Sequence, residues 1–214
     1  MTKTNKSSNT SNIFRRIKKK LGSPKPDHSL STEPGLDFDS LNGSSLYQTP
    51  YYSAEQTNIL FLSKRGLSRA PLAREIMRHL LHLSDHFGSI RPSARGISDA
   101  YEFCPFDKRM VHTAKKFGYE LAGSSRRVNM GELSSANLIV SLDKESEEYT
   151  KSRKFYIRGQ VRPIGMFLPA GDSPYIADPF DRDESTDANS NYENIVRTLE
   201  FGCGKLLKFL PSLV

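Results

Sequence analysis

Between Asn58 and Pro71 a short apolar run, Ile59-Leu60-Phe61-Leu62, gives way to Ser63-Lys64-Arg65-Gly66-Leu67-Ser68-Arg69 and then to a helical pattern opened by Ala70-Pro71. Small and basic residues held between a strand end and a helix start suit anion binding. The amides of such a loop and of the first helical turn converge on one point. The helix dipole favours negative charge there, and a guanidinium adds a planar fork of donors. The expected contacts to a phosphate-like anion are therefore Ser63, Lys64, Arg65, Gly66, Leu67, Ser68 and Arg69. Covalent chemistry at this place would need a nucleophile that is ionised near neutral pH. A thiol reaches that state in a cradle of amides and arginine, whereas a serine hydroxyl stays protonated unless a base adjoins it. Ser63 stands at the loop entrance, and its charged loop neighbours Lys64, Arg65 and Arg69 are cations.

The remaining reactive residue types offer less. Cys104-Pro105-Phe106-Asp107-Lys108-Arg109 has four residues between Cys and Arg and follows no apolar strand, which argues against Cys104 as a displaced nucleophile. With two cysteines, Cys104 and Cys203, and no Cys-x-x-Cys, neither a disulfide framework nor a zinc motif is expected, and a reducing, cytoplasmic setting is the default reading. His79, His82, His86 and His112 lie on or just after helical patterns without cysteine or carboxylate ligands to complete a metal set, so no metal and no cofactor is expected.

The elements that must position the loop follow from periodicity. Ile59 to Leu62 reads as a buried parallel strand; Leu72, Ala73, Ile76, Met77, Leu80, Leu81 and Leu83 repeat at helical spacing after it. Phe87 to Ala94 is expected as a second strand. Phe106, Met110, Val111, Ala114 and Phe117 mark a further helix ended by Gly118. Asn137 to Leu142 predicts the third strand, with Asp143 capping an acidic helix start, and Val161 to Phe167 the fourth. A long loop then extends to about Asn189. Ser190-Asn191-Tyr192-Glu193 reads as a capping box before a last helix with Ile195, Val196, Leu199, Cys203, Leu206, Leu207 and Leu210 on its apolar face, and Gly202 and Gly204 predict a bend or a close contact within it. Strands alternating with helices predict an α/β domain over 57–214, a four-stranded parallel sheet with helices on both faces. Its ligand would sit beyond the strands' carboxyl ends, where Ser63 lies.

Residues 1–56 are expected to form a disordered basic tail. Ser, Thr, Asn, Pro and Lys dominate, and eight Lys/Arg with no Asp or Glu fall between Met1 and Pro26. Within residues 13–21, Ile13, Phe14, Ile17 and Leu21 fall at helical spacing among Arg15, Arg16, Lys18, Lys19 and Lys20. That pattern suits an anionic membrane, nucleic acid or an organellar signal, beside the plain reading of a solvated tail. From Thr57 onward 23 Lys/Arg face 19 Asp/Glu, so the domain itself is only mildly basic.

The chain resembles the low molecular weight protein tyrosine phosphatases. Their signature Cys-x-Gly-Asn-x-Cys/Ser-Arg-Ser aligns on Ser63 to Ala70 without a gap. Ser93-Ala94-Arg95-Gly96-Ile97, Ser125-Arg126-Arg127-Val128, Leu142-Asp143 and Asp178-Pro179-Phe180 resemble further family segments in order. The resemblance implies that a nucleophile at position 63 attacks phosphorus, Arg69 binds the equatorial oxygens and Asp178 protonates the leaving group. Ser63 replaces the family's cysteine, Arg65 its glycine, Gly66 its asparagine and Ala70 its serine. A positive φ at Arg65 would cost roughly 1–2 kcal/mol or force a rearranged loop. The expectation is a catalytically impaired phosphatase fold that binds phosphate or phosphotyrosine-like anions. The alternatives are an active phosphomonoesterase, an arsenate reductase of related fold, and an interaction protein acting through its tail.

Overall fold

A computed structural model describes residues 56–180 and 188–212; the expected tail, Gln56 apart, lies outside them. Strand β1 (Thr57–Ser63) is followed by helix α1 (Arg69–His82), strand β2 (Ile90–Gly96) and helix α2 (Lys108–Lys116). A short helix α3 (Met130–Ser135), strand β3 (Leu138–Ser141), helix α4 (Lys144–Lys151), strand β4 (Gln160–Pro163) and the long helix α5 (Ala188–Phe209) complete the chain. The four strands form one sheet in the order β2-β1-β3-β4, and every neighbouring pair is parallel.

Alternation along β1 shows why both faces are covered. Ile59 and Phe61 enter a large core with Ile76, Met77, Val196 and Leu199 from α1 and α5, while Leu60 and Leu62 enter a smaller one with Val128, Leu133 and Ile139. All four side chains are at most 2% exposed, which explains an unbroken apolar run where a one-sided sheet would alternate. β1 is flanked by β2 and β3, so the chain reverses its direction across the sheet at the carboxyl end of β1. A crevice opens at such a point, and the loop after Ser63 lies there.

Several boundaries differ from expectation. β2 begins at Ile90, three residues later than predicted, because Phe87 belongs to the preceding turn and is 66% exposed. β4 ends at Pro163, and Ile164–Phe167 coils into a 3-10 turn. The pairing with β3 stops at Ser141, and the Gly165 amide turns to donate to Pro174. Helix α5 starts at Ala188, two residues before the start that the Ser190-Asn191-Tyr192-Glu193 pattern predicts. Of the two glycines in α5, a Cβ on Gly202 would sit 3.2 Å from Ile164 and Leu168, whereas nothing lies within 4 Å of one on Gly204. The close contact is thus real at Gly202, and the helix continues through both. Asp143 does cap α4: its carboxylate accepts the Ser146 amide in a reciprocal capping box. Among the described residues no helix is long and apolar enough to cross a membrane.

Candidate functional site

The loop from Lys64 to Ser68 is held from outside by its carbonyl groups. Lys64 O accepts from the amides of Ile97 and Ser98, Arg65 O from Ser125 Oγ at 2.8 Å, and Leu67 O from the Asp107 amide. The loop turns at Gly66, whose φ of +68° is left-handed, and a Cβ there would lie 2.6 Å from Gly96 N and Ser125 Oγ. Arg65 is not among the residues with positive φ. The strain expected at Arg65 is therefore absent, because the neighbouring glycine takes the left-handed turn.

Among the described residues the backbone N–H groups of Leu67, Ser68, Arg69 and Ala70 have no protein acceptor, although all four residues are buried. Unpaired amides at a helix start are ordinary in water and costly when buried, and an anion satisfies them together. Ser63 closes the loop by accepting the Gly66 amide on Oγ at 3.2 Å. It is 2% exposed, and among the described residues no carboxylate or imidazole takes a hydrogen bond from it. The Ser68 hydroxyl donates to Asp107 at 3.3 Å, an orientation the sequence did not suggest.

The arginines are committed internally. Arg69 Nη1 donates to the Ile176 carbonyl at 2.7 Å, and Nη2 lies 2.7 Å from Asp178 Oδ2 and 2.9 Å from Asp143 Oδ2. Arg65 Nη1 lies 3.0 Å from Asp178 Oδ1, and the Arg65 guanidinium rests 5.0 Å from the Phe180 ring centroid and 5.6 Å from that of Tyr101. Asp178 thus bridges both arginines, one oxygen to each, with its side chain 7% exposed. It also accepts the Phe180 amide, so the Asp-Pro turn and the ion pair coexist.

Two carboxylates expected to do separate work are joined through Arg69. Asp143 caps α4, takes the Lys64 amide at 2.8 Å and anchors Arg69. The loop bearing Asp178 is fixed to the end of β3 by the Ile176 amide, which donates to Leu142 O. Lys64 pairs with Glu145 at 2.9 Å, and the hydrogen bond from Lys64 is the chief reason the Glu145 carboxyl is held below its usual range. All the residues expected in the site, Ser63 to Arg69 together with Asp178, therefore meet at one place. Tyr101, Asp107 and the Ile176 carbonyl join them without any motif to announce them, because each arrives through tertiary contact from a distant segment.

Cys104 lies half-buried in a loop, and Cys203 is fully buried in α5 with its thiol pKa pushed up by desolvation. The rings of His79 and His82 meet those of Tyr119 and Phe87 edge-on.

Residues 58–212 match the family model described as low molecular weight phosphotyrosine protein phosphatase. No curated protein sequence matches the chain significantly. Solved structures of similar fold include YfkJ from Bacillus subtilis, 19% identical, covering 73% of this chain and 96% of that one at a TM-score of 0.65. A protein tyrosine phosphatase from Entamoeba histolytica with Hepes in its active site is 18% identical over 73% of this chain and 98% of its own, with a TM-score of 0.66. The Drosophila arginine phosphatase DARP is 16% identical, covering 71% and 96% of the two chains at a TM-score of 0.61.

Proposed function

The chain belongs to the low molecular weight phosphotyrosine protein phosphatase family, and from that premise we propose that it binds the phosphate group of phosphotyrosine-like ligands without efficient hydrolysis. The observation that carries the binding half is the row of amides from Leu67 to Ala70 at the start of α1, without an acceptor among the described residues and carried by buried residues, with Arg69 beside them. The aromatic side chains of Tyr101 and Phe180, which flank Arg65, supply walls suited to an aryl phosphate. Impairment follows from Ser63: a buried hydroxyl that accepts the Gly66 amide, with no base bonded to it among the described residues, does not become the alkoxide that a phosphoenzyme step requires.

On this reading Asp178 acts as the resident counterion of the cradle. Its carboxylate spans Arg65 and Arg69, where an incoming anion would use the same guanidinium groups. Binding of phosphate then exchanges one anion for another, and the loop through Asp178 moves aside. Lys64, Gly66 and Ser68 act as framework, since their polar groups are held by Asp143 and Glu145, Ser63, and Asp107 respectively.

Thermal unfolding with orthovanadate or phosphate tests the binding. A ligand at one hundred times its Kd adds about 2.7 kcal/mol, which corresponds to roughly 5–10 °C for a domain of this size. Asp178→Ala is expected to lower the concentration needed, and Arg69→Lys to abolish the rise measured from its own baseline. The absence of a shift in the unmodified chain and in Asp178→Ala alike overturns the binding. Hydrolysis of p-nitrophenyl phosphate tests the impairment: turnover is expected at background for the unmodified chain and above it for Ser63→Cys. Robust turnover that Ser63→Ala removes would make the protein a working phosphatase.

A further inference from the structure

Away from Ser63, the edge of the sheet carries a concentration of guanidinium groups that the phosphate cradle does not use. Arg74 and Arg78 project from α1, Arg91 and Arg95 from the edge strand β2, and Arg126 from the segment after α2. Two adjoining cavities, of about 320 and 690 Å³, share Arg74 and Arg95 in their walls. Arg126 lines the first, Arg78 and Arg91 the second, and among the described residues no Asp or Glu lines either. Both volumes fall in the roughly 300–1,000 Å³ range of ligand sites.

Two carboxylates lie behind these five cations. Glu75 pairs with Arg74 at 2.7 Å and with Arg78 at 3.5 Å, and Glu132 pairs with Arg95. Such pairs hold the guanidinium planes in place while leaving the wall positive. Arg91 and Arg126 are exposed, and neither has a carboxylate partner among the described residues.

Two exposed phenylalanines accompany the arginines. Phe87 lines the larger cavity and is 66% exposed, its ring meeting His82 edge-on. Phe103 is also 66% exposed, lies 5.8 Å below the guanidinium of Arg126, and is held at a φ of +62°, a left-handed conformation that costs a bulky residue energy. Burial therefore explains neither ring. Pro92, in the middle of β2, removes a backbone donor from this edge and counts against an added peptide strand.

We infer that this groove, from Phe87 past Arg91, Arg95 and Arg74 to Arg126 and Phe103, is a binding site for single-stranded nucleic acid. Guanidinium groups track the phosphates and the two exposed rings stack on bases. That combination of a positive groove and aromatic platforms suits single strands of any sequence. A phosphorylated acidic peptide would use the charges and leave the rings idle. The groove adjoins the phosphate cradle at Gly66, which lines the smaller cavity, but it draws on none of the cradle's guanidinium groups and stands whether or not Ser63 to Arg69 bind an anion.

The test is fluorescence anisotropy of a labelled 20-nucleotide oligothymidylate with the full chain across a salt series. The basic segment Met1 to Pro26 is present in every variant, so differences between variants report the groove. Arg91→Glu with Arg126→Glu is expected to weaken binding at least tenfold and to flatten the slope of log K against log salt by about 1.4. Phe87→Ala is expected to weaken it about tenfold with the slope unchanged. The exposed pair Lys144→Glu with Lys151→Glu, on α4, serves as the control and is expected to change affinity less than twofold. Equal losses in the control pair, unchanged affinity in the arginine pair, or unchanged affinity in Phe87→Ala each overturn the proposal. Tighter binding of a phosphorylated acidic peptide than of the oligonucleotide, lost in the same arginine pair, assigns the groove to a peptide and overturns it as well.

Discussion

Gly66 concentrates in one residue what the loop demands of the chain. Its backbone is left-handed at a φ of +68°, and a Cβ would meet Gly96 N and Ser125 Oγ at 2.6 Å. Gly66→Ala therefore combines backbone strain of roughly 1–2 kcal/mol with a collision against rigid neighbours, and a total loss of about 2–4 kcal/mol in urea unfolding is expected. Gly88 provides the comparison, since its φ is +84° and nothing lies within 4 Å of an added Cβ. Gly88→Ala should cost about 1–2 kcal/mol, the backbone part alone. Equal losses at the two positions would show that packing around Gly66 contributes nothing. The family pattern put the left-handed turn at Arg65, and the structure moves it to Gly66, where the close contacts with Gly96 and Ser125 leave room for no side chain. In the same way Ser63 and Arg69 were legible from the strand, loop and helix pattern. The bridge from Asp178 to Arg65 and Arg69 was not, because it joins residues 109 positions apart at its longer span.

At the scale of elements, the strands and helices followed from their apolar spacing wherever the run was long or doubly buried. β1, α1 and β3 are of that kind. β2 and β4, at the two edges of the sheet, were placed with errors of a few residues, since edge strands bury less and their apolar pattern runs on into adjoining turns. Helix α3 has no apolar periodicity to announce it: it has six residues and a single buried apolar side chain, Leu133, with Asn129 and Glu132 forming a capping box that compensates for its length. Helix α5 carries a titrating group on its packed side. Burial raises the Glu200 carboxyl above its usual range, against the hydrogen bond that Tyr119 donates at 2.9 Å. A carboxyl with a raised pKa in the fold binds its proton more tightly there than in the unfolded chain. Its stabilising contribution is complete below the unfolded value of about 4.3 and is lost as pH rises through the folded one. Glu200→Gln keeps an acceptor for Tyr119 and removes the buried charge. Its melting temperature should exceed that of the unmodified chain at pH 7, with the gain vanishing below pH of about 4. A variant that melts lower at pH 7 would show that the charge is stabilised, most directly by Arg197, which faces it with His79.

Across the whole molecule, charge and apolar residues are unevenly divided, and that division alone marks out the domain. Residues from 57 onward hold the apolar periodicity, while the acid-free basic stretch lies before Pro26. If the domain is independent, a chain beginning at Thr57 should melt within about 1 °C of the full chain, a difference below roughly 0.5 kcal/mol, and keep the same vanadate-induced rise. A drop of several degrees would mean that the first 56 residues contribute to the fold. The arginine groove was not legible as a unit, because its five members come from α1, β2 and the segment after α2 and share a surface only once the sheet is built. The bridge made by Asp178 has a consequence in time as well as in affinity. If the loop must release Asp178 before an anion can enter, the observed association rate will rise with ligand concentration only to a ceiling, the opening rate of the loop. Small anions that offer nothing beyond charge will then exchange poorly against a carboxylate already tethered in place, and residence at the site will favour ligands that also engage the surrounding side chains.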